Sequence, residues 1–233
     1  MMKVLLKLFL ILALLAPSSC YHIKPPEKIF QRESFVFIHK MIVVHDGTTI
    51  REYEFTGSGF IVAKYRNSTV ILTAGHICYN EHYEKQLASL KTFRVFTVHD
   101  IEDKPYSAKV IKINKEHDLC SLHVENMGHR PLKISAGVLE EGSELFNMAA
   151  PAAIFMEKNF PLLHGYYTGR TPRGVDMYTV PATGGSSGSP ILNKRGELVG
   201  MLHSVSTRFP FVSFGTNIEH IRPFIVSSLN EIK

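Results

Sequence analysis

Residues 35–55 read FVFIHKMIVVHDGTTIREYEF, two apolar runs, Phe35–Val44 and Ile50–Phe55, flanking His45-Asp46-Gly47-Thr48. Asp-Gly between two such runs is a strong hairpin signal, because both central residues of the turn it favours take φ > 0. The same grammar continues outward. Short β-rich segments bounded by turn residues recur at 59–64, 69–73, 93–98, 108–113, 119–124, 144–149, 162–168, 177–180, 190–192, 198–204 and 211–216. About a dozen strands at this spacing predict an all-β protein, either a pair of barrels or a large sandwich. Two stretches read differently. Asn80 to Leu90 is a polar insert, a short helix or loop, and Ile218, Ile221, Ile225 and Leu229 recur at helical spacing after the cap candidate Asn217. The sequence has no internal repeat and no low-complexity linker, so residues 34–233 are expected to pack as one unit.

The chain has 233 residues, 45% hydrophobic and 20% charged, a composition that excludes both a disordered acidic tail and a polytopic membrane protein. Its first twenty residues stand apart. Lys3 and Lys7 precede the apolar run Leu8–Ala16, which ends in Pro17-Ser18-Ser19-Cys20; this reads as a secretory signal peptide, the run being too short to cross roughly 30 Å of hydrocarbon alone. An uncleaved anchor from Val4 to Ala16 and a buried N-terminal helix are the other readings. Cys20 is placed like the lipidated cysteine of a bacterial lipoprotein, although Pro17 stands where such sites usually have Leu. The expected location is therefore outside the cell or in its envelope, with attachment through an N-terminal anchor or Cys20 as the membrane-bound alternative. Without Lys3 and Lys7 the formal charge of +5 falls to +3, too little for a nucleic-acid-binding face.

Three motifs carry chemistry: Thr73-Ala74-Gly75-His76 after an apolar strand, His117-Asp118-Leu119 opening another, and Gly185-Ser186-Ser187-Gly188-Ser189-Pro190 in a glycine-rich turn. Each alone is ordinary. Together, in the order His, Asp, Ser, they supply what acyl transfer by a hydroxyl requires. A serine is inert at neutral pH without a base in reach, and the base needs an acid to fix its tautomer. His76, Asp118 and Ser187 are the candidates. The N–H groups of Gly185 and Ser187 are the expected oxyanion donors, and no metal or cofactor is called for. Asp100 and Asp103 also lie between His76 and Ser187, but they flank a turn, whereas Asp118 opens the alternation Leu119–Val124.

The sequence resembles the trypsin/chymotrypsin-like serine peptidases, in particular single-domain bacterial and viral members related to the HtrA/Deg core. Besides the triad motifs, the resemblance rests on Gly57-Ser58-Gly59-Phe60, Gly142-Ser143-Glu144-Leu145-Phe146 with Ala149-Ala150-Pro151, Gly196-Glu197-Leu198-Val199-Gly200, and Phe214-Gly215-Thr216-Asn217-Ile218. It implies a double six-stranded β-barrel with a short C-terminal helix, His76 and Asp118 coming from the first barrel and Ser187 from the second. It also implies protein or peptide substrates. Ser186 replaces the Asp that zymogen-activated members place before the nucleophile, no Arg-Ile-Val-Gly-Gly activation motif occurs, and Ser189 stands where many relatives have Gly. The PDZ domain of the HtrA branch is not expected, since the chain ends soon after the final helix.

In the resembled family the first specificity pocket is walled by segments that correspond to Pro181-Ala182-Thr183 and Leu202-His203-Ser204-Val205. Pro181, Thr183, His203 and Ser204 are thus candidate pocket residues, and none is a countercharge for Lys or Arg. A small or apolar residue is the default substrate side chain. His203 could instead accept a glutamate or glutamine, or, being three residues after Gly200 rather than two, turn towards Asp118.

Two other readings compete. Gly184-Gly185-Ser186-Ser187-Gly188 also matches the nucleophile elbow of α/β-hydrolases, with Ser186 as nucleophile, but no Asp follows it and Pro190 sits where the elbow's helix should begin. A non-catalytic protease-fold binding protein is the alternative from another functional class. Of the three cysteines, Cys78 and Cys120 follow His76 and Asp118 by two residues each. Two separate buried hydrophobes is the default reading and a brace between base and acid the other, since pairing needs Cα atoms within about 7 Å. His82, His99, His117, His123 and His129 show no metal-ligand spacing, and Asn67-Ser68-Thr69 is read as a turn rather than a glycosylation site.

Overall fold

A computed structural model describes residues 29–45 and 47–232 of the chain. The leader read at residues 1–20, Cys20 included, lies outside the described residues. Strands β1 (Phe35–His45), β2 (Ile50–Tyr65), β3 (Ser68–Ala74), β4 (Lys91–His99), β5 (Pro105–Asn114) and β6 (Leu119–Glu125) close into one antiparallel barrel in the order β1-β2-β3-β6-β5-β4. The second barrel contains β7 (Glu144–Met148), β8 (Leu162–Arg170), β9 (Asp176–Tyr178), β10 (Pro190–Asn193), β11 (Leu198–Val205) and β12 (Ser213–Asn217). Its order, β10-β11-β12-β9-β8-β7, repeats the topology of the first. The described residues also contain three α-helices, α1 (Gly75–Cys78), α2 (Glu81–Leu87) and α3 (Ile218–Asn230), and short 3₁₀ turns at Arg32–Ser34 and Pro151–Ala153.

Alternation builds the barrel walls. Along β8, Gly165, Tyr167 and Gly169 are buried while Leu162, His164, Tyr166, Thr168 and Arg170 face out, the period-2 pattern of a strand with one wet face. In β3 every residue from Thr69 to Ala74 is buried, because its outer face is covered as well.

Two expectations about the first hairpin change. The segments read as separate strands at 50–55 and 59–64 form one 16-residue strand, β2. Gly57-Ser58-Gly59 carries the strand through, pairing residue for residue with Ile38, Phe37 and Val36 of β1. The Asp-Gly turn is also longer than its signal suggests, since His45 pairs with Ile50 and leaves a four-residue connection in which Gly47 has φ 98°. A two-residue hairpin occurs instead at Arg66-Asn67, between the paired Tyr65 and Ser68, so the sequon's Asn67 does lie in a turn.

Asn80 and Asn217 cap their helices, accepting N–H bonds from His82 and Tyr83, and from His220. Helix α3 returns the chain to the first barrel. It buries Ile221, Phe224, Ile225 and Ser228, and Ser228 Oγ donates to Ser121 Oγ of β6 at 2.8 Å. The segment between the barrels is anchored to both, Leu132 N–H donating to Ile61 O and Ser135 N–H to Leu198 O at 2.9 Å each. These ties set the end of β3, the start of β6 and the turn before β10 against one another.

Candidate active site

His76 and Asp118 sit at the matching ends of neighbouring strands. Ala74 pairs with Leu119, so the residue after β3 and the residue before β6 are adjacent by register. Three hydrogen bonds fix them: Gly75 N–H to Asp118 O at 2.8 Å, His76 N–H to Asp118 Oδ1 at 2.7 Å, and His76 Nδ1 to Asp118 Oδ2 at 2.8 Å. Burial pushes the Asp118 carboxyl up, but the hydrogen bonds and charge of His76, helped by His203, outweigh it and hold the group below the usual carboxylate range. The other carboxylates are committed elsewhere. Asp100 accepts from the Glu102 and Lys104 N–H groups, Tyr106 and His129, and Asp103 contacts His99.

Cys78 and Cys120 form a disulfide, with Cα atoms 6.4 Å apart. The default reading of two independent thiols is therefore corrected. Thr73 pairs with Cys120 across β3–β6, and the α1 turn brings Cys78 back over that pair, a juxtaposition that a separation of 42 residues conceals.

Ser187 lies in the turn between Thr183 and Pro190, which Ser58 of β2 holds against the first barrel. Ser58 is fully buried; its Oγ donates to Gly185 O at 2.8 Å and accepts from Ala150 N–H at 3.0 Å, while its N–H donates to Ser187 O at 2.8 Å. Gly185 and Gly188 have φ of 91° and 86°, and a Cβ on either would fall within 2.4 Å of Ala150 O or 2.3 Å of Ser58 O, respectively. Glycine is required at both by conformation and by space. The N–H groups of Gly185 and Ser187 meet no protein acceptor among the described residues. Ser187 Oγ donates to His203 O at 3.3 Å rather than to His76. His76, Gly185 and Ser187 nonetheless line one cleft of about 360 Å³. Ser186 points inward, fully buried, and a strand follows the turn, which excludes the nucleophile-elbow reading.

Ser58 stands in a motif that the sequence offered, but no role was assigned to it. The available signal was a lone hydroxyl between glycines inside an apolar strand.

Of the candidate pocket residues, Pro181 is half-buried and Thr183 and Ser204 are exposed. His203 turns towards Asp118, its Nδ1 3.9 Å from Oδ2. The cause is a β-bulge: β11 pairs with β12 through Leu202–Gly215 and then Ser204–Phe214, leaving His203 as the extra residue. Burial beside His76 lowers the His203 pKa despite the nearby Asp118. Among the described residues one cluster, Asp100, Glu102 and His129, has donor atoms close enough to share a cation. Both Asp100 oxygens already accept protein hydrogen bonds, so the cluster needs no ion to satisfy it.

Among solved structures, a serine endoprotease from Yersinia pestis superposes with a TM-score of 0.65 at 14% identity, covering 86% of this chain and 64% of that one. The chain thus spans less than two thirds of that protein's length. The Rv3671c protease from M. tuberculosis in its active form matches with a TM-score of 0.61 at 18% identity over 83% of this chain and 79% of that one. Its inactive serine-to-alanine mutant gives 0.61 at 16% identity, over 84% and 87%. At these identities the likeness is one of fold. A comparison with curated proteins finds no significant match. The model of the trypsin-like peptidase domain matches residues 57–201, more than half of the chain and the span from the Ser58 motif through His76, Asp118 and Ser187, and the chain accordingly belongs to the trypsin-like peptidase family.

Proposed function

We propose that the protein is a serine endopeptidase working through an acyl-enzyme at Ser187. The carrying observation is the two-point grip of Asp118 on His76 at 2.7 and 2.8 Å, beside a cleft shared with Ser187. In this reading Ser187 Oγ rotates from the His203 carbonyl to His76 Nε2 and gives up its proton as it attacks the scissile carbonyl. The oxyanion collects the N–H groups of Gly185 and Ser187, and His76 returns the proton to the leaving amine. Asp118 holds the tautomer in which Nε2 is the free acceptor and stabilises the imidazolium. No carboxylate occurs in 181–183 or 202–205, the segments proposed to wall the first subsite, which suits a small or apolar residue better than Lys or Arg.

The protein is proposed to act outside the cytosol, in the envelope or beyond it. The Cys78–Cys120 disulfide supports this, because such bonds persist in oxidising compartments. The basic and apolar first sixteen residues support it too, and leave cleavage, anchoring and lipidation at Cys20 as the routes.

The competing reading, a non-catalytic member of the fold, is favoured only by the placement of Ser187 Oγ on the His203 carbonyl. A fluorophosphonate probe separates the two. We expect Ser187 to label, and Ser187→Ala to lose labelling and turnover of denatured protein by about 10⁴ to 10⁶ while retaining the wild-type Tm. Turnover that survives Ser187→Ala would overturn the assignment.

A further inference from the structure

Lys40 is a buried charge that this mechanism leaves unused, and unlike the buried carboxylates Asp100, Asp176 and Glu197 it has no ion-pair partner among the described residues. It lies in the middle of β1, 3% exposed, with Nζ 3.3 Å from the Cys78 carbonyl at the end of the helical turn that carries His76. The rings of Phe55 and Phe96 flank it at 5.6 Å each. An ammonium has three donors and this one has a single protein acceptor. No carboxylate pairs with it among the described residues: Glu84 is engaged by Arg94 at 2.5 Å, and Glu54 reaches His39 at 3.6 Å. Burial, opposed by Glu84 and aided by Arg94, lowers its pKa to about 8. A buried cation with so little compensation is costly to keep, and an apolar side chain of the same length would fill the space.

Its position gives the charge a use. Lys40 lines the same cleft as His76, Gly185 and Ser187; Phe55 and Tyr83, whose rings meet at 5.0 Å, line it too, as does Glu54, whose carboxylate lies 3.6 Å from His39. No residue of β11 lines it. The acyl half of a substrate is assigned to the opposite side of Ser187, along 202–205, so this cleft is left to the leaving-group half, which His76 must reach to protonate it. On the proposed peptidase reading, we infer that Lys40 forms a carboxylate-binding subsite for the leaving peptide, selecting substrates with a carboxylate one or two residues beyond the scissile bond. That carboxylate is either an Asp or Glu side chain or the peptide's own C-terminus.

The test uses the full chain and matched peptides. One arm compares Glu with Gln at the first and second positions after the scissile bond in C-terminally amidated peptides; the other compares free with amidated C-termini at those positions. We expect kcat/KM to favour the carboxylate in at least one arm by about tenfold, the scale of one hydrogen bond to a charged group. The arm that responds identifies the source. Lys40→Met should bring that ratio near one and Lys40→Arg should restore it, whereas a purely structural lysine would change both peptides of a pair alike. If Lys40→Met does not fold, the wild-type ratio decides: labelling of Ser187 with ratios near one in both arms overturns the subsite alone. Absence of both labelling and cleavage overturns the peptidase reading and the subsite with it.

Discussion

Asp118 has φ of 49°, a left-handed conformation that an L-residue adopts at a cost of roughly 1 kcal/mol, and Asp tolerates it better than most. In that conformation its backbone carbonyl meets Gly75 N–H while its two oxygens take the His76 N–H and Nδ1. Asp118→Asn keeps the shape and reverses one bond, since an amide nitrogen facing Nδ1 would favour the wrong tautomer. The expected result is a loss of about 10⁴ in kcat at neutral pH. Stability should respond separately. The folded pKa lies below the unfolded value near 4, so Asp118 contributes stability that is fully present above that value and is lost as pH falls through the folded one. The Tm difference between wild type and Asp118→Asn should therefore shrink as pH is lowered from 7 to 3. A constant difference would mean that the carboxylate's charge does not stabilise the fold. His76, Asp118 and Ser187 could be named as candidates from the sequence because each stands in a short motif whose composition is set locally. Lys40 could not, for with His39 it reads as a polar pair in an apolar run, and its burial depends on Phe55 and Phe96 from strands on either side.

At the scale of elements, strands were easier to read than the contacts between them. The helix Ile218–Asn230 follows from its cap and spacing, and twelve strands stand where apolar runs stand. The β3–β6 pairing, by contrast, joins residues 45 to 57 apart, and neither strand carries a signal naming its partner. The disulfide was ambiguous for the same reason. It closes a loop of 42 residues between α1 and β6, which in the chain-entropy picture contributes about 4 kcal/mol. Replacing both cysteines by Ala should lower Tm by roughly 10 °C in calorimetry. Three hydrogen bonds and the β3–β6 ladder still join His76 to Asp118 in that variant, so kcat per labelled serine should fall less than tenfold. A much larger fall would show that the bond sets the geometry of the pair rather than the stability of the barrel.

At the scale of the molecule, one barrel topology occurs twice in a chain without a detectable repeat, because strand order and alternation define it and neither constrains residue identity. What cannot be arbitrary is the place where the barrels meet. Ser58 is the hinge of that contact: one hydroxyl from the first barrel satisfies Gly185 O and Ala150 N–H in the second, both lost in Ser58→Ala. Each group left without a partner costs about 1–3 kcal/mol. The Ser58 N–H to Ser187 O bond is main-chain and survives the substitution. The turn should thus stay docked but lose the anchor of the Gly185 carbonyl, whose residue also carries an N–H proposed for the oxyanion, so we expect kcat to fall by roughly tenfold or more with little change in KM. Ser228→Ala is the contrast. It removes another buried hydroxyl bond to the first barrel, Ser228 to Ser121 at 2.8 Å, in which neither Gly185 nor Ala150 takes part. It should lower Tm by about half as much, one group being left without its partner instead of two, and leave kcat unaltered. Equal kcat in the two variants would mean that Ser58 holds the barrels together without orienting the nucleophile turn.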